Sequence, residues 1–184
     1  MKKLPLSMLI VIALLTMTGL SFAQMNLGLN GVGGKLGYIS PEGNIDNSVV
    51  LGGWVNLGTI TPQLHLRADV EFWGKSYSDY SAKVSFTQLA LGAVVLYYFP
   101  MENANFKPYS GVGLDFTRSK TSVEGLGFYS GSASSSSTDI GIDLVAGIEY
   151  PLSPNLNGRG EFKYHTDGAD FWGIFVGVMY SLGK

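Results

Sequence analysis

The densest chemistry in this sequence lies in four charged residues, Arg67 and Glu71 four apart in one stretch and Arg159 and Glu161 two apart in another. Even spacing puts residues on one face of a β-strand. Opposite charges gathered on such faces and held away from bulk water would form a structural ion-pair network rather than a reacting centre. The two histidines, His65 and His165, are the other candidates, and no cysteine accompanies them, so thiolate sites and disulfides are excluded and zinc chemistry is poorly supported. Gly31, Gly33, Gly34 and Gly37 are spaced loosely like a phosphate loop. No Lys-Ser/Thr follows and no helical pattern begins, so that chemistry is not expected.

Arg67 and Glu71 sit in Leu64 to Trp73, where Leu64, Leu66, Ala68, Val70 and Phe72 alternate with His65, Arg67, Asp69 and Glu71. Strict period-two alternation predicts a strand, and about ten residues is the length of a tilted membrane-spanning strand. Seven further runs follow the same logic: Asn26 to Tyr38, Val49 to Leu57, Val84 to Phe99, Pro108 to Thr117, Asp139 to Tyr150, Leu156 to His165 and Phe171 to Leu182. In the Val84 run, Val84 and Phe86 break parity with Leu89, Leu91, Ala93, Val95 and Tyr97. A bulge, or an upper part rising out of the membrane, would explain this. The connections alternate between short turns and the longer loops Ser40 to Asn47, Gly74 to Ala82 and Arg118 to Thr138, the last with a Ser/Gly tract expected to be flexible and solvated.

Lys2 and Lys3, the apolar stretch from Met8 to Leu15 and Ser21-Phe22-Ala23 predict a cleaved signal peptide over residues 1–23 and one domain over residues 24–184. Removing those two lysines leaves ten basic residues against 14 acidic, a net charge of −4, which gives no support for nucleic-acid binding. Only 14% of residues are charged and mean hydropathy is +0.20, yet no segment after residue 23 is apolar enough for a transmembrane helix. Alternating strands in a membrane barrel reconcile the two.

Such a barrel must turn one face to lipid. The faces carrying Lys35, Arg67, Asp69, Glu71, Asp115, Asp143, Glu149, Arg159, Glu161, Lys163 and His165 are assigned inward. The Leu/Ile/Val/aromatic faces, too bulky for an eight-stranded interior, go outward. Aromatics support this. Tyr97, Tyr98, Phe99, Phe106, Tyr109, Tyr150 and Tyr180 lie by the short turns, and Trp73, Phe116, Tyr164, Phe171 and Trp172 by the long loops, as two interfacial girdles would require. The expected fold is all-β, an eight-stranded antiparallel up-and-down transmembrane β-barrel closed by pairing the first run with the last.

The ending Val176-Gly-Val-Met-Tyr180-Ser-Leu-Gly-Lys184 resembles the end of the OmpA transmembrane domain, with Leu182 where that family has an aromatic. The chain from Gln24 onward is similar to the superfamily of small eight-stranded outer-membrane barrels that includes the OmpX type. The resemblance implies residence in the cell outer membrane and a structural or surface-interaction role through the long loops. As partners it implies outer-membrane lipid, the barrel-assembly machinery during insertion and an extracellular ligand, with no cofactor, no metal and no catalysis. Two alternatives stay open. Inward glycines could leave a narrow pore for small solutes or ions. An outer-leaflet enzyme would be a lipid A deacylase, but these barrels carry His-x-Ser where this chain has His165-Thr166-Asp167. Arg67, Glu71, Arg159 and Glu161 are the predicted lumen network.

Overall fold

The computed structural model describes residues 25–43, 45–78, 82–102, 105–125, 131–166 and 170–182. The expected signal peptide lies outside them. Eight strands follow in chain order: β1 Asn26–Pro41, β2 Ser48–Thr59, β3 Leu64–Ser78, β4 Ala82–Tyr98, β5 Lys107–Gly125, β6 Ser132–Ser153, β7 Leu156–Thr166 and β8 Phe171–Ser181. Each pairs antiparallel with its chain neighbours. β1 also pairs with β8, from Gly31↔Ser181 to Pro41↔Phe171, so the sheet is a closed ring.

Alternation then sorts every strand into two environments. Outward positions such as Leu36, Leu91, Leu114, Ile142 and Val176 have about half or more of their surface uncovered, whereas inward Lys35, Arg67, Glu71, Asp143, Lys163 and His165 are buried. A water-soluble protein shows the reverse. Apolar outside and charged inside is the pattern that lipid selects.

Two irregularities shape the short-turn end. Gly58 adopts φ +100° beside register shifts on both of its neighbours, and a Cβ there would collide with the Asn26 carbonyl oxygen. Only glycine fits this bulge, which bends β2 into the turn at residues 60–63. At the β6–β7 turn of the same end β6 runs on to Ser153, leaving Pro154 and Asn155 to reverse the chain into β7.

The largest departure from expectation concerns the long connections. The stretch expected as one loop, Arg118 to Thr138, is strand at both of its described ends, and residues 126–130 lie outside the described residues. Ser132 to Ser137 belong to β6 and pair in unbroken register with Ser119 to Glu124 of β5. Cross-strand backbone bonds supply the order that the Ser-rich side chains do not encode. The same extension reaches Gly74 to Ser78 of β3 and Ala82 to Thr87 of β4. β4 carries no register shift, so Val84 and Phe86 lie on the inward parity without a bulge, and the Phe86 ring packs 5.0 Å from the Trp73 ring.

Leu114→Arg, at a lipid-facing position 61% exposed, should cost about 2–4 kcal/mol. It would lower the folded, heat-modifiable fraction on a cold-detergent gel, and Ser135→Arg in the projecting hairpin should leave that fraction unchanged.

Candidate functional site: the charged lumen

Because inward residues recur at every second position, each strand delivers a column of side chains to a lumen too narrow for water to solvate them. The expected four all point inward and are buried, but they do not form one quartet. Arg67 grips Glu161 in a two-point contact, Nη1 to Oε2 at 2.6 Å and Nη2 to Oε1 at 3.0 Å, and also meets Asp69 Oδ2 at 2.7 Å. Glu71 receives Lys163 at 3.0 Å, and Lys35, which itself lies 3.5 Å from Asp69. Arg159 turns to its cross-strand neighbour, with Nε 2.8 Å from Glu149 Oε2.

Tyrosines knit these pairs together. Tyr109 donates its hydroxyl hydrogen to Glu161 at 2.9 Å, and Tyr98 accepts from Arg159 at 2.7 Å and donates to Glu149 at 3.0 Å. Tyr98 and Tyr109, expected in an interfacial girdle, face the lumen instead. Trp73 and Phe171 are corrected likewise: each is 3% exposed and, with Ile39, Val50 and Phe175, closes the long-loop end of the barrel with an apolar plug. Their positions along the chain fit a girdle, but their parity points inward, and parity decides. Tyr97, Phe99, Phe106, Phe116, Tyr150, Trp172 and Tyr180 do face outward.

Trp54 is the central element that charge counting overlooks. Its ring has three cations against it, Lys35 at 5.7 Å, Arg67 at 5.6 Å and Arg159 at 5.3 Å from the centroid, each an attraction of order 1–2 kcal/mol when desolvated. The inward glycines make room for it. A Cβ at Gly33 would collide with the Trp54 indole nitrogen, and one at Gly177 would fall 2.5 Å from the far edge of the ring. Gly37 does the same for Phe175 and Gly147 for Tyr109. These four glycines give clearance to large side chains. At mid-lumen, among Asp69, Glu71, Asp115, Asp143 and Lys163, no space remains that a water molecule could occupy.

Above that level His165 Nδ1 lies 2.8 Å from Asp143 Oδ1 and 3.1 Å from Asp115 Oδ2, with its ring stacked on Phe171. His165 is fully buried inside the wall, away from outer-leaflet lipid. Asp167 lies outside the described residues. His65 sits at the short-turn mouth, 4.5 Å from the Tyr98 ring, bordering a cavity of about 350 Å³ that also touches Asn56, Lys107 and Glu149.

A closed ring with a lipid-facing surface and a packed ionic interior defines an integral membrane β-barrel. The chain belongs to the outer membrane protein beta-barrel domain family, whose sequence profile matches residues 9–182, and it resides in the cell outer membrane. An uncharacterized protein of Haemophilus influenzae is 30% identical over 121 residues, 64% of this chain and 66% of that relative, just under two thirds of its length. Among solved structures it is similar to neisserial surface protein A, with TM-score 0.66 and 16% identity over 85% of this chain and 99% of that one. The attachment invasion locus protein Ail of Yersinia pestis matches at TM-score 0.58 and 12% identity over 86% and 100%. OprG of Pseudomonas aeruginosa matches at 0.57 and 16% over 88% and 99%. At these identities the structures speak to the fold.

Two substitutions test the packing. Arg159→Met strands Glu149 in the lumen and should cost about 3–5 kcal/mol, seen as a lower thermal midpoint in detergent, whereas exposed Lys120→Met should leave the midpoint in place. Trp54→Ala should cost about 3–5 kcal/mol through the cavity it leaves.

Proposed function

We propose that this chain is a surface-interaction barrel whose working part is the sheet that β3 to β6 raise beyond the membrane, and that its lumen network serves to hold the wall rigid beneath that sheet. One observation carries the reading. β6 meets β7 only from Ile142↔Thr166 downward, so residues 132–141 have β5 on one side and, among the described residues, no strand on the other. About ten residues of backbone, roughly 30 Å of strand, offer unpaired N–H and C=O groups to the outside. Exposed edges are normally blunted by lysine, proline or bulges. This one is small and polar over residues 132–139, with five serines, one alanine and one threonine, and Asp139 is its single charge; Ile140 and Gly141 complete it. It suits addition of an extended segment from an extracellular protein, bound through main-chain hydrogen bonds.

One of the structurally similar barrels is an attachment invasion locus protein, and a role in attachment agrees with this reading for the present chain. Conduction gains little support from a lumen filled by Trp54, Tyr109 and Phe175 and capped by Trp73 and Phe171. Catalysis on outer-leaflet lipid gains none from His165, which faces inward. Outer-membrane lipid around the wall and the assembly machinery during insertion remain the expected partners below the rim.

Adjacent positions in an antiparallel strand point their N–H groups to opposite sides. Of Ser134→Pro and Ser135→Pro, one therefore removes a donor from the free edge and the other a donor from the β5 ladder. Cells bearing the intact chain, a chain with residues 119–137 replaced by a tight turn, and the free-edge proline variant should be compared for adhesion to surfaces coated with extracellular-matrix proteins. Loss of adhesion in both variants, with the gel shift retained, supports the proposal; equal adhesion in all three overturns it.

A further inference from the structure

We propose that Asp115, Asp143 and His165 form a buried site for one divalent transition-metal ion of zinc type, clamping β5, β6 and β7 together where the projecting sheet leaves the barrel. The three donors come from neighbouring strands: Asp143 pairs with both Gly113 of β5 and His165 of β7, and Asp115 lies two residues along β5 from that row. One ligand atom from each lies within 4.8 Å of the other two. All three residues are at most 2% exposed.

The second observation is an uncompensated charge. Among the described residues the lumen buries four lysine and arginine cations against six carboxylates. Asp69, Glu71, Asp143, Glu149 and Glu161 each have a lysine or arginine nitrogen within 3.5 Å. Asp115 has none. It accepts a hydrogen bond from Thr117 at 3.2 Å on Oδ1, while its Oδ2 points at His165 Nδ1 and receives no hydrogen bond. A ring nitrogen carries at most one hydrogen, and Asp143 Oδ1 at 2.8 Å is the closer and better aligned claimant. A buried carboxylate facing a nitrogen whose single hydrogen is engaged elsewhere is a costly arrangement.

A zinc-type ion in place of that hydrogen would satisfy all three groups at once. Imidazole nitrogen and carboxylate oxygen are both zinc ligands at about 2.0–2.2 Å, which sets donor atoms roughly 3.3 Å apart in a tetrahedral arrangement; the two carboxylate oxygens lie 2.8 and 3.1 Å from the ring nitrogen and within 4.8 Å of each other, so they would draw together around a bound ion. Two added charges would also balance six carboxylates against four cations. Lys163 binds the opposite oxygen of Asp143 at 2.8 Å and leaves Oδ1 directed at the site. Three protein donors would fill three of zinc's four tetrahedral positions, and the fourth would take a water molecule on the side away from the filled mid-lumen level. Calcium, which takes six to eight oxygens, does not fit.

The test uses the full barrel, folded in detergent, stripped with chelator, exposed to Zn²⁺ alone and desalted. The expected result is one zinc retained per chain by elemental analysis, a raised thermal midpoint, and no such rise with Ca²⁺. Asp115→Asn keeps the side chain's shape but removes a carboxylate ligand and should lose the retained zinc, while His65→Ala at the short-turn mouth should retain zinc fully. Should Asp115→Asn fail to give the gel shift, cobalt(II) added to the stripped wild-type chain replaces it as the readout, with a d–d absorption band displaced by zinc expected. Absence of retained zinc and of that band overturns the proposal, as does zinc lost with His65→Ala. The first result would leave a shared proton as the only bond between His165 and its two carboxylates.

Discussion

Everything in this molecule follows from the seam between β1 and β8. In lipid an unpaired backbone edge costs several kcal/mol for each exposed polar group, so the sheet must close, and eight strands close on a fixed, narrow bore. That bore dictates what the inward residues can be. Side chains just fill such a bore, and strand alternation forces half of all side chains into it. The interior must therefore be packed and satisfied as strictly as the core of a soluble protein.

The chain meets that demand by matching size across the bore. Trp54, Phe175 and Tyr109 each lie against glycines of neighbouring strands, and the cations that pair with carboxylates also crowd the Trp54 ring. Ion pairs of this kind add little net stability compared with a well-packed apolar core, but they are severe about errors, since removing one partner leaves a buried charge. They also pin register: Arg67 on β3 and Glu161 on β7 meet across the lumen only if every strand between them is correctly placed. A rigid wall is thus coupled to a single register, and the apolar plug of Trp73, Phe171 and Phe175 seals it from the long-loop side.

Above the rim the closure constraint lapses. Water can satisfy backbone groups there, so β3 to β6 continue as an open sheet while β1, β2, β7 and β8 stop. The open edge is tolerable only outside the bilayer. The contrast between a sealed lower ring and an unsealed upper sheet is what the proposed surface-interaction role rests on.

The strand count, the lipid-facing side and ring closure were legible in the sequence because alternation at Leu64 to Phe72 or Ile140 to Tyr150 is a one-dimensional signal, and a strand's two faces are assigned by parity alone. Parity also put Arg67, Glu71, Arg159 and Glu161 inside. What no single strand encodes is who meets whom. The sequence suggested one shared network, but the partners of Arg67, Glu71 and Arg159 depend on strand stagger and on which residues lie opposite across the bore. Parity turns Trp54, Tyr98 and Tyr109 inward as well, but which cations and carboxylates they meet there depends, for the same reason, on the ring. Ser132 to Ser137 show the converse: composition alone says loop, while pairing with β5 makes strand, because backbone hydrogen bonds to an ordered neighbour outweigh weak local preference. Sequence by itself thus determined the environment of each face, and tertiary structure decided the contacts, since periodicity is local and the meeting of side chains across a closed ring is not.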